Sequence, residues 1–127
     1  MYKEILICVI VIVSILSINY ILQDYTKKST TEINNKLEEL KQDLKESKKE
    51  EIKTKMQDIK DKWSEQYKTL AVFIEHDELE KVETDLITLE GYIEIEEYKK
   101  SINEVNKSIF SLKHIAEKYD FSIVNIF

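Results

Sequence analysis

His76 stands between Glu75 and Asp77, with Glu78 next, and it is one of only two histidines in the chain. Imidazole and carboxylates together can ligate a divalent cation, so Glu75, His76, Asp77 and Glu78 are the candidate metal ligands. The spacing argues against them. No second histidine lies one helical turn away, and the paired Glu-x-x-His motifs of di-iron bundles are missing. The plainer expectation is that Asp77, with Glu80 three residues on, caps a helix while His76 packs at its corner. No metal and no cofactor are expected. His114, just before Ile115, reads as a surface side chain. Nucleophilic chemistry has no setting either: Cys8 lies in an apolar run, and neither Gly-x-Ser-x-Gly nor a glycine-rich phosphate loop occurs. The expected protein is not an enzyme.

Charge narrows the partners further. The chain has 19 basic residues, all lysine, against 25 acidic ones, for a net charge of −6. An acidic chain without arginine lacks the forked donors that grip phosphates, so nucleic acid is not an expected partner. Between Glu75 and Glu97 carboxylates crowd around the single lysine Lys81. No Asp-x-Asp-x-Asp-Gly loop accompanies them, so the stretch reads as a solvated helix face rather than a calcium site. Lysines dominate Lys41 to Lys62. If those two stretches lie on antiparallel helices, their opposite charges help to set register. Trp63, Tyr67 and Phe73 at helical spacing read as core, and Asn106-Lys107-Ser108 as a chance sequon within a helix.

The elements that must position these residues fall into two parts. Ile5 to Leu22 contains no charge, proline or glycine. As a helix it is about 27 Å long, close to the hydrocarbon thickness of a bilayer. Ile5, Leu6, Ile7, Val9, Ile10, Val11, Ile12, Val13, Ile15, Leu16, Ile18, Ile21 and Leu22 are its lipid-facing residues, with Tyr2 and Tyr20 near the two interfaces. A soluble core helix would seldom be apolar on every face for this length. A cleavable signal would need small residues at a cut site, and Ile15 before Ser17 does not supply them. We therefore expect an uncleaved single-pass anchor in a plasma membrane. Lys27, Lys28 and Lys36 after the span favour a cytoplasmic bundle. The very short head before the span is the usual form of an export signal and favours an extracytoplasmic one, which is the orientation expected here.

Residues 29–127 are expected to form a small antiparallel helical bundle of three to four helices, after an anchor and link over residues 1–28. With no proline and one glycine, Gly91, helix is the default and β-hairpins are disfavoured. Ser29 with Glu32 matches a capping box. Four apolar stripes follow, spaced by threes and fours: Ile33, Leu37, Leu40, Leu44; Ile52, Met56, Ile59, Trp63, Tyr67, Leu70, Ile74; Leu79, Val82, Leu86, Leu89, Ile93; and Tyr98, Ile102, Val105, Ile109, Leu112, Ala116, Tyr119. The polar stretch Lys45 to Glu51 is the expected first turn, although one unbroken helix would look similar. The apolar tail Phe121 to Phe127 is expected to lie extended across the bundle. The expected fold class is thus all-α: a transmembrane helix, the bundle and a short extended tail.

The corner Ile74-Glu75-His76-Asp77-Glu78-Leu79, followed by Leu86, Leu89 and Tyr92-Ile93, and the ending Asn125-Ile126-Phe127 resemble a domain-of-unknown-function family of short single-span proteins from clostridia and related Gram-positive bacteria. Leu70 departs from the pattern, where another aromatic is expected before His76. The resemblance implies a bacterial plasma-membrane protein and carries over no functional residues, because no activity is established for that family. The function expected from anchor and bundle together is a non-enzymatic protein-interaction or accessory module at the cell surface. The alternative is an extracytoplasmic ligand or metal-ion sensing domain working through a membrane partner. Expected partners are the lipid bilayer, through residues 5–22, and another protein, with self-association left open.

Overall fold

The computed structural model describes residues 1–120. Among them are four helices and no strand: α1 (Tyr2–Lys45), α2 (Lys49–Leu70), α3 (His76–Glu94) and α4 (Tyr98–Lys118). α1 packs on α2 and α4, and α3 packs on α4 and, over a much shorter stretch, on α2. Cross-helix pairs run in antiparallel register, as in Lys36–Asp58 and Lys62–Glu32 between α1 and α2. The result is the up-and-down bundle that four amphipathic segments with short links predict. The expected extended tail falls outside the described residues.

α1 does two jobs in its 44 residues. Its first half is long and apolar enough to cross a membrane: the best 18-residue window has a mean hydropathy of 2.9 and none of it is buried in the bundle. Such a helix fits a single-pass anchor or a signal sequence. Its polar groups are met internally, since the Ser14 and Ser17 hydroxyls donate to the carbonyls of Ile10 and Val13, each at 2.8 Å. The second half buries Ile33, Leu37, Leu40 and Leu44 in the core. No break separates the halves. Ser29, expected as a helix cap, is buried in mid-helix, and Glu32 reaches across to Lys62 and Gln66 instead of back to a free amide. The local reason is that Gln23 to Lys28 contains no helix breaker. Thr26, Ser29 and Thr30 are buried against the bundle, which stabilises helix through the segment expected as a link.

The turn expected after Lys45 occupies Glu46 to Lys48. Ser47 adopts φ 54°, its N–H donates to Leu44 O, and Lys48 N–H donates to Asp43 O. This is a Schellman ending, repeated at the α3–α4 turn by Glu96 at φ 58°, with Glu96 N–H to Ile93 O and Glu97 N–H to Tyr92 O. Both turns use an ordinary residue where glycine is favoured. The chain's one glycine, Gly91, lies inside α3, where an added Cβ would meet nothing within 4 Å. Gly91→Ala is therefore expected to raise bundle stability by about 1 kcal/mol, read from the urea midpoint of the helical circular-dichroism signal in detergent.

Core packing explains why one seam is loose. Three stripes are buried as read from the sequence, apart from half-buried Tyr67. The fourth is buried only in its middle, at Val105, Ile109 and Leu112, while Tyr98, Ile102, Ala116 and Tyr119 are half-buried. In addition α4 buries Ser101, Glu104, Ser108, Ser111 and Ile115. α4 faces both α1 and α3, so it needs two buried rows, and serines in the second row let neighbouring helices approach closely. α2 instead presents Trp63 and Tyr67 toward α3. Large rings hold helices apart.

Candidate functional site

The seam between α2 and α3 opens into a groove of about 300 Å³. α2 contributes Lys60, Trp63, Ser64, Tyr67 and Lys68; α3 contributes Glu83, Leu86, Ile87 and Glu90. Trp63 and Leu86 are buried members of the core stripes, with Tyr67 edge-on to Trp63 at a ring separation of 5.9 Å. The indole Nε1–H of Trp63 is buried without an acceptor among the described residues, a costly state for a donor. Ile87 stands off the α3 stripe, 66% exposed at the rim. The α2 side is basic and the α3 side acidic, and the Lys60–Glu90 ion pair at 2.5 Å ties the walls together at one end. An apolar floor between rows of opposite charge has the layout of a groove that grips an amphipathic segment.

Opposed lysines and carboxylates do join α2 to α3, at Lys60–Glu90, while Lys49–Glu96 ties the start of α2 to the α3–α4 turn at 2.7 Å. More of the α2 pairs are made with α1, where Lys55 reaches the buried Asp43 at 2.5 Å and Lys62 reaches Glu32 at 3.1 Å. The expected charge register therefore acts chiefly on the α1–α2 seam.

The histidine corner is assembled differently from its sequence order. α3 begins at His76, with Glu75 as the preceding residue and no side-chain capping bond. Asp77 is thus not the cap but a first-turn residue, where a carboxylate suits the helix dipole. The entry is tied to the end of α4, because Glu75 N–H donates to the hydroxyl of Tyr119, the residue after that helix, at 2.9 Å. Glu75 and Glu78 converge on the Lys118 ammonium, at 3.4 and 3.0 Å. His114 lies 3.8 Å from Glu78, whereas His76 points to Glu80 at 3.6 Å, in solvent. The four candidate ligands therefore do not share a point, and the cation that Glu75 and Glu78 gather is a lysine. Among the described residues no group of three or more His, Cys, Asp or Glu is arranged to hold a metal ion.

The Lys118 hydrogen bond holds the Glu78 carboxyl below its ordinary 4.5, helped by the nearby charges of Lys118 and His114 and opposed by burial. A depressed carboxylate contributes stability above its unfolded value, and that contribution is lost as pH falls through the folded one. At about pH 7 Glu78→Gln is accordingly expected to be less stable than the wild type. Below 4.5 the gap should narrow, which urea midpoints measured on both sides of that value would show.

Residues 20–126 match the family described as Domain of unknown function (DUF4363). The chain belongs to that family. The DUF4363 match begins at Tyr20, near the end of the apolar run, and so takes in the whole bundle together with the groove and the histidine corner. No curated protein and no solved structure matches the chain. The groove itself went unread in the sequence, where Trp63 and Tyr67 counted as core. Ile87, apolar but out of phase with Leu79, Val82, Leu86 and Leu89, was the available signal.

Proposed function

We propose that this DUF4363 protein is a non-enzymatic interaction module, held in the plasma membrane of a Gram-positive bacterium by residues 5–22, with its bundle outside the cytoplasm. The α2–α3 groove carries the reading. Its occupant is an amphipathic helix of a partner protein, with apolar anchors over Trp63, Leu86 and Ile87. The partner's acidic residues face Lys60 and Lys68, and its basic residues face Glu83 and Glu90. A second reading, a sensing domain for a small ligand, draws support from the groove volume of about 300 Å³, at the lower end for small-molecule sites. Such a sensor would work through a membrane partner.

The test is a photo-crosslinking amino acid placed in living cells at Ile87 or, as a control, at Phe110, an exposed aromatic of α4 outside the groove. A protein adduct at Ile87 that is absent at Phe110 and lost in a Lys68→Glu/Glu83→Lys double variant is expected. Equal adducts at both positions, or none at Ile87, would overturn the reading. A topology reporter fused after Phe127 tests the side of the membrane separately.

A further inference from the structure

The unbroken α1 sets how high the bundle stands above the bilayer. Lys36 with Asp58, Glu32 with Lys62 and Gln66, and Asp43 with Lys55 define the α1–α2 register, one step up α1 for each step down α2. Continued to the end of α2, that register puts Val72 level with Leu22 to Thr26. α4 returns to the same level, since Gln23 donates to Asp120 at 2.5 Å and the Tyr119 hydroxyl meets Glu75. The α2–α3 turn and the end of α4 thus lie at the height where the apolar run of α1 stops. At about 1.5 Å per residue, Leu22 to Thr26 rises about 6 Å. The headgroup layer is about 5–7 Å deep on each side of the hydrocarbon.

We infer that the α2–α3 turn is a second bilayer contact, with Val72 and Phe73 entering the headgroup layer beside the anchor. This rests on the reading that residues 5–22 cross the membrane. Val72 is 82% exposed, which suits an interfacial turn, while Phe73 is half-buried against the core. Tyr20 and Tyr25 mark the same height on α1. Charge does not drive the contact: the lysines at this level, Lys27, Lys28, Lys68 and Lys118, are matched by Asp24, Glu75, Asp77, Glu78 and Asp120, leaving no basic excess for anionic lipid. The contact is apolar and should form on zwitterionic lipid without regard to salt.

Cys8 is the only cysteine, so a Cys8→Ala background allows single labelling sites. Val72→Cys, Ser47→Cys and Ile12→Cys chains, each carrying an environment-sensitive fluorophore, are reconstituted in phosphatidylcholine vesicles with spin-labelled lipid. The expected result is blue-shifted emission at position 72, lost when headgroup-labelled lipid is added and unchanged by salt. Position 12 should be quenched by mid-chain-labelled lipid, and position 47, at the far end of the bundle, by neither. If position 12 is quenched and 72 behaves like 47, the contact is refuted and the anchor stands. Quenching at 47 equal to that at 72 would mean a bundle lying flat, and refutes it too. If position 12 is not quenched, the span itself fails and the contact with it.

Discussion

Trp63→Ala is expected to lower bundle stability by about 3–5 kcal/mol, the cost of deleting a large buried aromatic whose site cannot fully collapse. Trp63→Phe should stay much closer to the wild type. The difference follows from where the ring sits. α2 meets α3 over a short stretch, and the Trp63 ring, edge-on to Tyr67, lines the groove in that seam together with Leu86. Alanine removes the filling, whereas phenylalanine keeps most of it and discards the Nε1–H that has no acceptor. Urea unfolding by circular dichroism is the measurement, since Trp63 is the only tryptophan and its fluorescence disappears in both variants. A cost below about 1 kcal/mol for alanine would show that the seam is not held by this ring. The proposed partner adds a second readout: a crosslink from Ile87 should disappear with alanine and persist with phenylalanine.

The long apolar helix and the amphipathic stripes of the bundle were legible because both depend on hydrophobic pattern alone. Ile5 to Leu22 is apolar on every face, and the stripes through Leu37, Ile59 and Leu86 repeat at the helical period, so burial follows directly. What the pattern could not carry was the helix starts. Ser29-x-x-Glu32 and Asp77-x-x-Glu80 both have the composition of a capping box, yet tertiary contacts decided otherwise. Ser29 is buried in a continuous helix, and the hydroxyl of Tyr119, just past the end of α4 and 44 residues away in sequence, accepts the Glu75 amide at the start of α3. The groove was hidden for a related reason. A period of 3.6 assigns Trp63 and Leu86 to a core without saying that two facing helices will stand apart there. The histidine corner shows the same limit, since neighbours in sequence diverge on a helix and Lys118, remote in sequence, fills the place between Glu75 and Glu78.

Ser108 gives the sharpest contrast between what a residue type suggests and what its position requires. Its sequence context reads as a polar residue on an amphipathic helix, and in a sequon at that. In the bundle it is fully buried on α4, one heptad from Ser101 and one from Ile115, and its hydroxyl has no hydrogen-bond partner among the described residues. At Ser108, unlike at Ile115 near the end of the helix, the buried side chain is small, where α4 is packed against both α1 and α3. Ser108→Leu is therefore expected to cost about 3 kcal/mol, at the upper end for overpacking, as helices are pushed apart by added volume. Ser108→Ala keeps the size and removes a buried unpaired hydroxyl, so it should be neutral or stabilising by up to about 1 kcal/mol. Opposite signs from one site separate volume from polarity, which a single substitution cannot do. If leucine is tolerated as well as alanine, the close approach of α4 to its neighbours is wrong. In that case the tight and loose seams of the bundle would have to be reassigned, and with them the reason the groove opens between α2 and α3.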